Sequence, residues 1–136
     1  MAFKFEQLDV WQLSLEYIDS IYALAEQLPR AEDFNLKSQI IRAATSISLN
    51  IAEGSTGQSD PEQNRFLGMS IRSLIETVAC LRLIQRRNYL KDDELLDEAD
   101  SQAQTLAKKL HAFRKSLKTD KISEETASYQ TEESEL

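Results

Sequence analysis

Apolar residues recur at three- and four-residue spacing through most of the chain, and this period limits the fold more than any other feature of the sequence. Over residues 9–28 the spacing predicts an α-helix with two apolar stripes. A helix that is apolar on two sides is buried on two sides. The first stripe is Val10, Leu13, Tyr17, Ile21, Leu24 and Leu28, and the second is Trp11, Leu15, Ile18, Tyr22 and Ala25.

A second helix, predicted over residues 35–53, repeats this double pattern. Its first stripe is Leu36, Ile40, Ala43, Ala44, Ile47 and Ile51, and its second is Ile41, Thr45, Leu49 and Ala52. A polar seam of Gln39, Arg42, Ser46, Asn50 and Glu53 lies between the two stripes. Gly54 follows this helix, where a left-handed C-terminal cap favours glycine.

Two further helices are predicted over residues 60–88 and 92–118, each with a single apolar face. Asp9 is the expected N-cap of the first helix, and either Ser59 or Asp60 is the expected N-cap of the third. The sequence has only 3 Gly and 2 Pro, fewer turn residues than a sheet protein needs. We therefore predict one all-α domain over residues 1–118, an antiparallel up-down-up-down four-helix bundle, because short connections favour antiparallel neighbours.

The chain ends in an acidic segment, residues 119–136, which we predict to be disordered. Residues 120–136 have a net charge of −5, which leaves −2 for residues 1–119 out of the total of −7. The helical part is thus nearly balanced in charge, and the acidity of the tail does not exclude contact between nucleic acid and the bundle.

The second stripes predict self-association, because a helix in a four-helix bundle needs only one broad apolar face. Alternatively, the aromatic and aliphatic residues of the first helix cap the end of the bundle or contact the tail. The predicted oligomer interface is Trp11, Leu15, Ile18, Tyr22, Ile41, Thr45, Leu49 and Ala52.

No set of side chains in the sequence predicts catalysis, a metal site or a cofactor. Ser46 lies in the polar seam, and a nucleophilic serine needs a base, whereas the sole histidine, His111, lies among Lys and Arg on the fourth helix. One histidine is too few for a typical zinc site, and the stretch GSTGQS lacks the lysine of a P-loop. We interpret the seam as structural and Cys80, the only cysteine, as a small buried residue.

The single cysteine fits a reducing compartment, and the sequence shows neither a signal-peptide core nor a membrane span. The expected location is the cytoplasm. Basic residues gather near the end of the third helix and along the fourth, where they form a candidate nucleic-acid contact. These residues are Arg82, Arg86, Arg87, Lys91, Lys108, Lys109, Arg114, Lys115 and Lys118.

The stretches FEQLDVWQ, QIIRAATSISLNIAEG and FLGMSIRSLIET resemble the bacterial four-helix bundle family known as 23S rRNA intervening-sequence proteins. The resemblance covers residues 3–117. It implies an antiparallel four-helix protomer, a ring-shaped homopentamer and no established enzymatic activity. Relatives include the accessory variability determinant of diversity-generating retroelements, a pentamer that works with a reverse transcriptase and nucleic acid.

Position by position, the resemblance assigns signature residues to the second and third helices. One position departs from the pattern: Arg72 stands where a small residue is usual, so either close packing is lost there or Arg72 faces solvent and pairs with Glu76. The signature residues are Gln39, Arg42, Ser46, Asn50, Ala52, Glu53 and Gly54, followed by Ser73, Leu74 and Glu76.

These inferences predict a non-enzymatic, homo-oligomeric scaffold or adaptor that binds a protein or ribonucleoprotein partner. The alternative is a nucleic-acid-binding accessory module that uses the basic residues of the third and fourth helices.

Overall fold

The computed structural model describes residues 3–57 and 59–117. They form four α-helices: α1 (Asp9–Ala25), α2 (Leu36–Gly54), α3 (Asp60–Arg87) and α4 (Glu94–Ser116). Short 3-10 helices at Lys4–Gln7 and Arg30–Glu32 precede α1 and α2, and no strand occurs within the described ranges. The predicted all-α fold with four helices is confirmed. The acidic segment 119–136 lies outside the described residues.

The helix ends follow local chemistry, with two corrections, at Asp9 and at Gly54. Asp9 is the first residue of α1, and its expected role as N-cap is wrong, because Leu8 occupies that position without a side-chain bond. Ser59 caps α3 by accepting a hydrogen bond from the Glu62 backbone N–H at 3.3 Å. At the other end of α3, Asn88 adopts the left-handed conformation (φ 58°) that ends a helix.

Gly54 does not act as the predicted left-handed cap. It is the last residue of α2, and Ser55 is the C-cap with φ −100°. The need for glycine is steric: a Cβ atom at position 54 would lie 2.8 Å from the Cβ of Phe66 in α3. Gly54 therefore allows close approach of α2 and α3, whereas Gly57, with φ +88°, makes the left-handed turn that follows.

Each helix packs mainly against two others, since α1 and α3 both lie against α2 and α4. The core is built from the first stripes of α1 and α2 together with one face each of α3 and α4. The most buried large side chains are Tyr17, Ile21, Leu24, Ile40, Ile47, Ile51, Leu67, Ile71, Leu74, Leu81, Ile84 and Leu106.

Polar contacts fix how the helices lie along one another. Arg114 near the end of α4 bonds Asn64 near the start of α3, whereas Asp100, earlier in α4, accepts a bond from Arg82 late in α3. The 3-10 turn before α2 lies beside the connection from α3 to α4, because the Tyr89 hydroxyl donates to Glu32 at 2.7 Å.

Candidate functional site

The second stripes of α1 and α2 remain partly uncovered in the protomer. Leu15, Tyr22 and Leu49 expose 37%, 47% and 55% of their surface. The other predicted interface residues, Trp11, Ile18, Ile41, Thr45 and Ala52, are partly buried. Isolated apolar side chains on a surface are ordinary, but three on adjoining helices mark a patch.

A buried hydrogen bond joins the two helices beneath this surface. Ser14 in α1 and Ser48 in α2 meet through their hydroxyls at 2.8 Å, and both side chains are buried. Leu15 and Leu49 directly follow these serines in the sequence, so they lie on the outward side of the same crossing. The two stripes thus form one surface, the α1–α2 face, which comprises the eight predicted interface residues.

The N-terminal segment covers one end of the α1–α2 face. The Phe5 ring packs edge-on against Trp11, with ring centroids 4.6 Å apart. This contact is intramolecular and covers part of the Trp11 side chain. The exposed residues Leu15, Tyr22 and Leu49 lie further along the face.

At the first turns of α2 the α1–α2 face continues into a shallow cavity of about 500 Å³. Phe34, on its border, is fully exposed at 100%. Phe34 lies in the turn before α2, so helical spacing from Ile41 does not place it; its position follows from how that turn lies beside the helix. The lining residues are Asp33, Phe34, Lys37, Ser38, Ile41 and Arg42.

The predicted polar seam lies between α2 and α3, where it forms hydrogen bonds across the two helices. The Ser46 hydroxyl accepts from Ser73 and from the Asn50 amide, both at 3.0 Å. Further along, Gln39 donates to Glu76 at 3.3 Å. The signature residues of the two helices therefore contact one another, and the hydroxyl of Ser46 is held in structural bonds.

Two polar signature residues, Arg42 and Glu53, and the departing residue Arg72 lie outside these bonds. Arg42 is exposed at the cavity and donates to Ser38 at 3.4 Å, so the seam does not include it. Glu53 is exposed near the end of α2, and Arg72 is exposed on α3. Arg72 therefore faces solvent, and its pairing with Glu76 stays a prediction.

The candidate nucleic-acid residues fall into two groups near opposite ends of the bundle. Arg86, Arg87 and Lys91 lie beside the connection from α3 to α4, and Lys108 and Lys115 lie in the last turns of α4; all five are exposed. Two of the basic residues already have acidic neighbours. Arg82 pairs with Asp100 at 2.9 Å, and Lys109 pairs with Asp9 at 3.5 Å. Lys118 lies outside the described residues.

Arg114 does not belong with the exposed basic residues. Its side chain is buried, with 4% exposed, and its Nε donates to the Asn64 side chain at 3.0 Å. The guanidinium lies 3.5 Å from where a Cβ on Gly68 would be, so glycine leaves room for it against α3. A side chain enclosed in this way is not available to a phosphate, and its role is structural.

Two buried polar clusters hold the helices and connections together. Tyr17 in α1 meets the Thr77 hydroxyl of α3 at 2.7 Å, and burial raises the pKa of Tyr17 to about 12. Glu32 accepts bonds from Tyr89 and from the Asn35 amide at 2.9 Å, and these bonds lower the pKa of its carboxyl.

The described part of the chain shows no group of three or more side chains suited to holding a metal ion. Cys80 is buried, and burial raises the pKa of its thiol, which keeps it protonated at neutral pH. Among the described residues, no helix is both long and apolar enough to span a membrane.

These features define an all-α protein with four helices, a hydrogen-bonded seam between α2 and α3, and a partly uncovered apolar face on α1 and α2. The chain belongs to the 23S rRNA-intervening sequence protein family, whose sequence profile matches residues 6–112. The resemblance seen in the sequence is therefore confirmed.

The fold is similar to the crystal structure of a protein with unknown function from the S23 ribosomal protein family of Bacteroides thetaiotaomicron. The two chains are 28% identical with a TM-score of 0.71, and the match covers 79% of this chain and 99% of that one. No curated protein matches the chain.

Proposed function

We propose that the protein is a non-enzymatic, homo-oligomeric scaffold or adaptor whose copies associate through the α1–α2 face. The observation that supports this proposal is the exposure of Leu15, Tyr22 and Leu49 on adjoining helices. Completing the burial of these three side chains would contribute about 2–4 kcal/mol of transfer free energy per copy. Exposed apolar patches mark interaction sites, and most soluble oligomers are assembled from copies of one chain.

The proposed protomer is an antiparallel up-down-up-down bundle. The contacts of Asn64 with Arg114 and of Arg82 with Asp100 support opposite directions for α3 and α4. The proposed number of copies is five in a ring, and it rests on the resemblance to the family. The proposed location is the cytoplasm, and the proposed partner of the assembly is a protein or a ribonucleoprotein.

Light scattering coupled to size-exclusion chromatography tests the assembly. We expect an oligomer at micromolar concentration, and a monomer would refute the proposal. Leu49→Glu should dissociate it while far-UV circular dichroism stays helical, because the carboxylate would be buried in the interface. Leu83→Glu is the matched control, since Leu83 on α3 is 54% exposed and Leu49 is 55% exposed. Loss of helicity in Leu49→Glu would instead make Leu49 part of the protomer core.

We do not extend the proposal to nucleic-acid binding. Arg82 and Lys109 are paired with carboxylates and Arg114 is buried, which leaves the exposed cations in two small groups. Phosphate binding depends on several charges that act together. Retention of RNA at low salt that is lost in an Arg86→Glu, Arg87→Glu double variant would favour the nucleic-acid module over a scaffold.

A further inference from the structure

The cavity at the start of α2 combines apolar side chains with a charged border. Phe34 is fully exposed beside it, and Ile41 is partly buried. Asp33, Lys37 and Arg42 line the same cavity. Lys37 pairs with Asp33 at 4.0 Å, so the exposed Arg42 gives the border its net positive charge. Such a site suits an aromatic side chain with acidic neighbours, because the ring can bury against the apolar groups while the charges pair at the border.

The outer side of α1 presents a group with this chemistry. Tyr22 is 47% exposed, and Asp19 and Glu26 are both exposed. At about 100° of rotation per residue, Asp19, Tyr22 and Glu26 fall within about 60° of one another on the helix. An acidic edge therefore borders α1 next to Tyr22, whereas Arg42 borders α2 on the opposite edge of the α1–α2 face.

The two groups also lie at the same level along the bundle. The Ser14–Ser48 hydrogen bond sets α1 against α2. In the antiparallel arrangement, Tyr22, eight residues after Ser14, is level with position 40, eight residues before Ser48. The tyrosine and the cavity therefore occupy one height on neighbouring helices.

We propose that Tyr22 of one copy inserts into the Phe34–Ile41 cavity of the next copy, with Asp19 and Glu26 facing Arg42. This inference rests on the proposed homo-oligomer and adds which surfaces meet. A symmetry axis parallel to the helices keeps every residue at its own height and lays α1 of one copy on α2 of the next. An axis perpendicular to the helices would bring α1 onto α1 and acidic edge onto acidic edge.

A charge exchange in the full-length protein tests this contact. Asp19→Arg and Arg42→Glu should each raise the dissociation constant of the assembly at least about tenfold at low salt, because like charges then face each other. The double variant D19R/R42E should assemble with itself and fail to mix with the wild-type chain. Asp97→Arg is the matched control, an equal charge change at an exposed position of α4 outside the α1–α2 face, and should assemble normally.

Light scattering gives the masses, and native mass spectrometry of an isotope-labelled mixture measures exchange between variants. Tyr22→Ala should weaken the assembly, because it leaves the cavity unfilled. Wild-type assembly with unaffected single variants, or a double variant that fails to recover, would overturn the docking while leaving the oligomer in place. A monomeric wild type would refute the oligomer itself. A small molecule or another protein that occupies the cavity of an intact wild-type assembly would also overturn it.

Discussion

Replacing Gly54 with alanine tests why glycine ends α2. A Cβ at this position would lie 2.8 Å from the Cβ of Phe66, which is closer than carbon atoms pack in proteins. The contacted atom is fixed to the α3 backbone, so a rotamer change cannot move it away. Relief requires that α2 and α3 separate slightly where Gly54 meets Phe66.

The magnitude follows from two opposing contributions. Alanine stabilises a helix interior by about 0.5–1 kcal/mol relative to glycine, and by less at the last residue of a helix. Insertion of a methyl group into a packed contact costs about 1–3 kcal/mol. We expect Gly54→Ala to lower the free energy of unfolding by about 1–2 kcal/mol.

Gly68→Ala is the matched control, since it makes the same change within α3. Its Cβ would meet the Arg114 guanidinium at 3.5 Å, an ordinary contact. The helix preference for alanine then dominates, and we expect stabilisation of about 0.5–1 kcal/mol. Urea denaturation followed by circular dichroism measures both variants, at one protein concentration because association shifts apparent stability. Equal or greater stability of Gly54→Ala would refute the steric explanation.

Three further predictions concern buried polar groups. The pKa of Tyr17 is raised from 10.0 to about 12 in the folded protein. The stability that the neutral hydroxyl contributes is therefore complete below pH 10 and is lost as pH rises towards 12. Tyr17→Phe should lessen that loss of stability, measured by urea denaturation from pH 9 to 11.5. The pKa of Glu32 is lowered from 4.5, chiefly by the hydrogen bond from the Tyr89 hydroxyl. Its contribution to the free energy of unfolding is therefore present above pH 4.5 and is lost as pH falls through the folded-state pKa. Glu32→Gln should make the free energy of unfolding less dependent on pH in the acid range, and an unchanged dependence would contradict this. Arg114→Met should lower the free energy of unfolding by about 1.5–3 kcal/mol, because it removes the hydrogen bond to Asn64 of α3. Lys115→Ala, at an exposed position, should change it by less than about 0.5 kcal/mol. Equal effects of the two substitutions would show that Arg114 is not a structural residue.

The spacing of apolar residues along the chain is enough to predict the helices and much of the core. The first stripes of α1 and α2 are buried almost throughout, and Leu15, Tyr22 and Leu49 of the second stripes are exposed. Ser59 was one of two N-cap candidates, and the structure selects it. These features depend on residues three or four positions apart, whose relative placement a helix fixes before any tertiary contact forms.

The pattern of residues along the chain is enough to predict the helices, the apolar faces of α1 and α2, and the family signature. The tertiary structure decided the rest, because the remaining features depend on distances between helices. Gly54 allows α2 to approach Phe66 closely, whereas the sequence suggested that it caps the helix. Arg114 is buried against α3, whereas its charge alone suggested an exposed position. The cavity beside Phe34 likewise appears only when the turn before α2 is placed against the outer side of that helix.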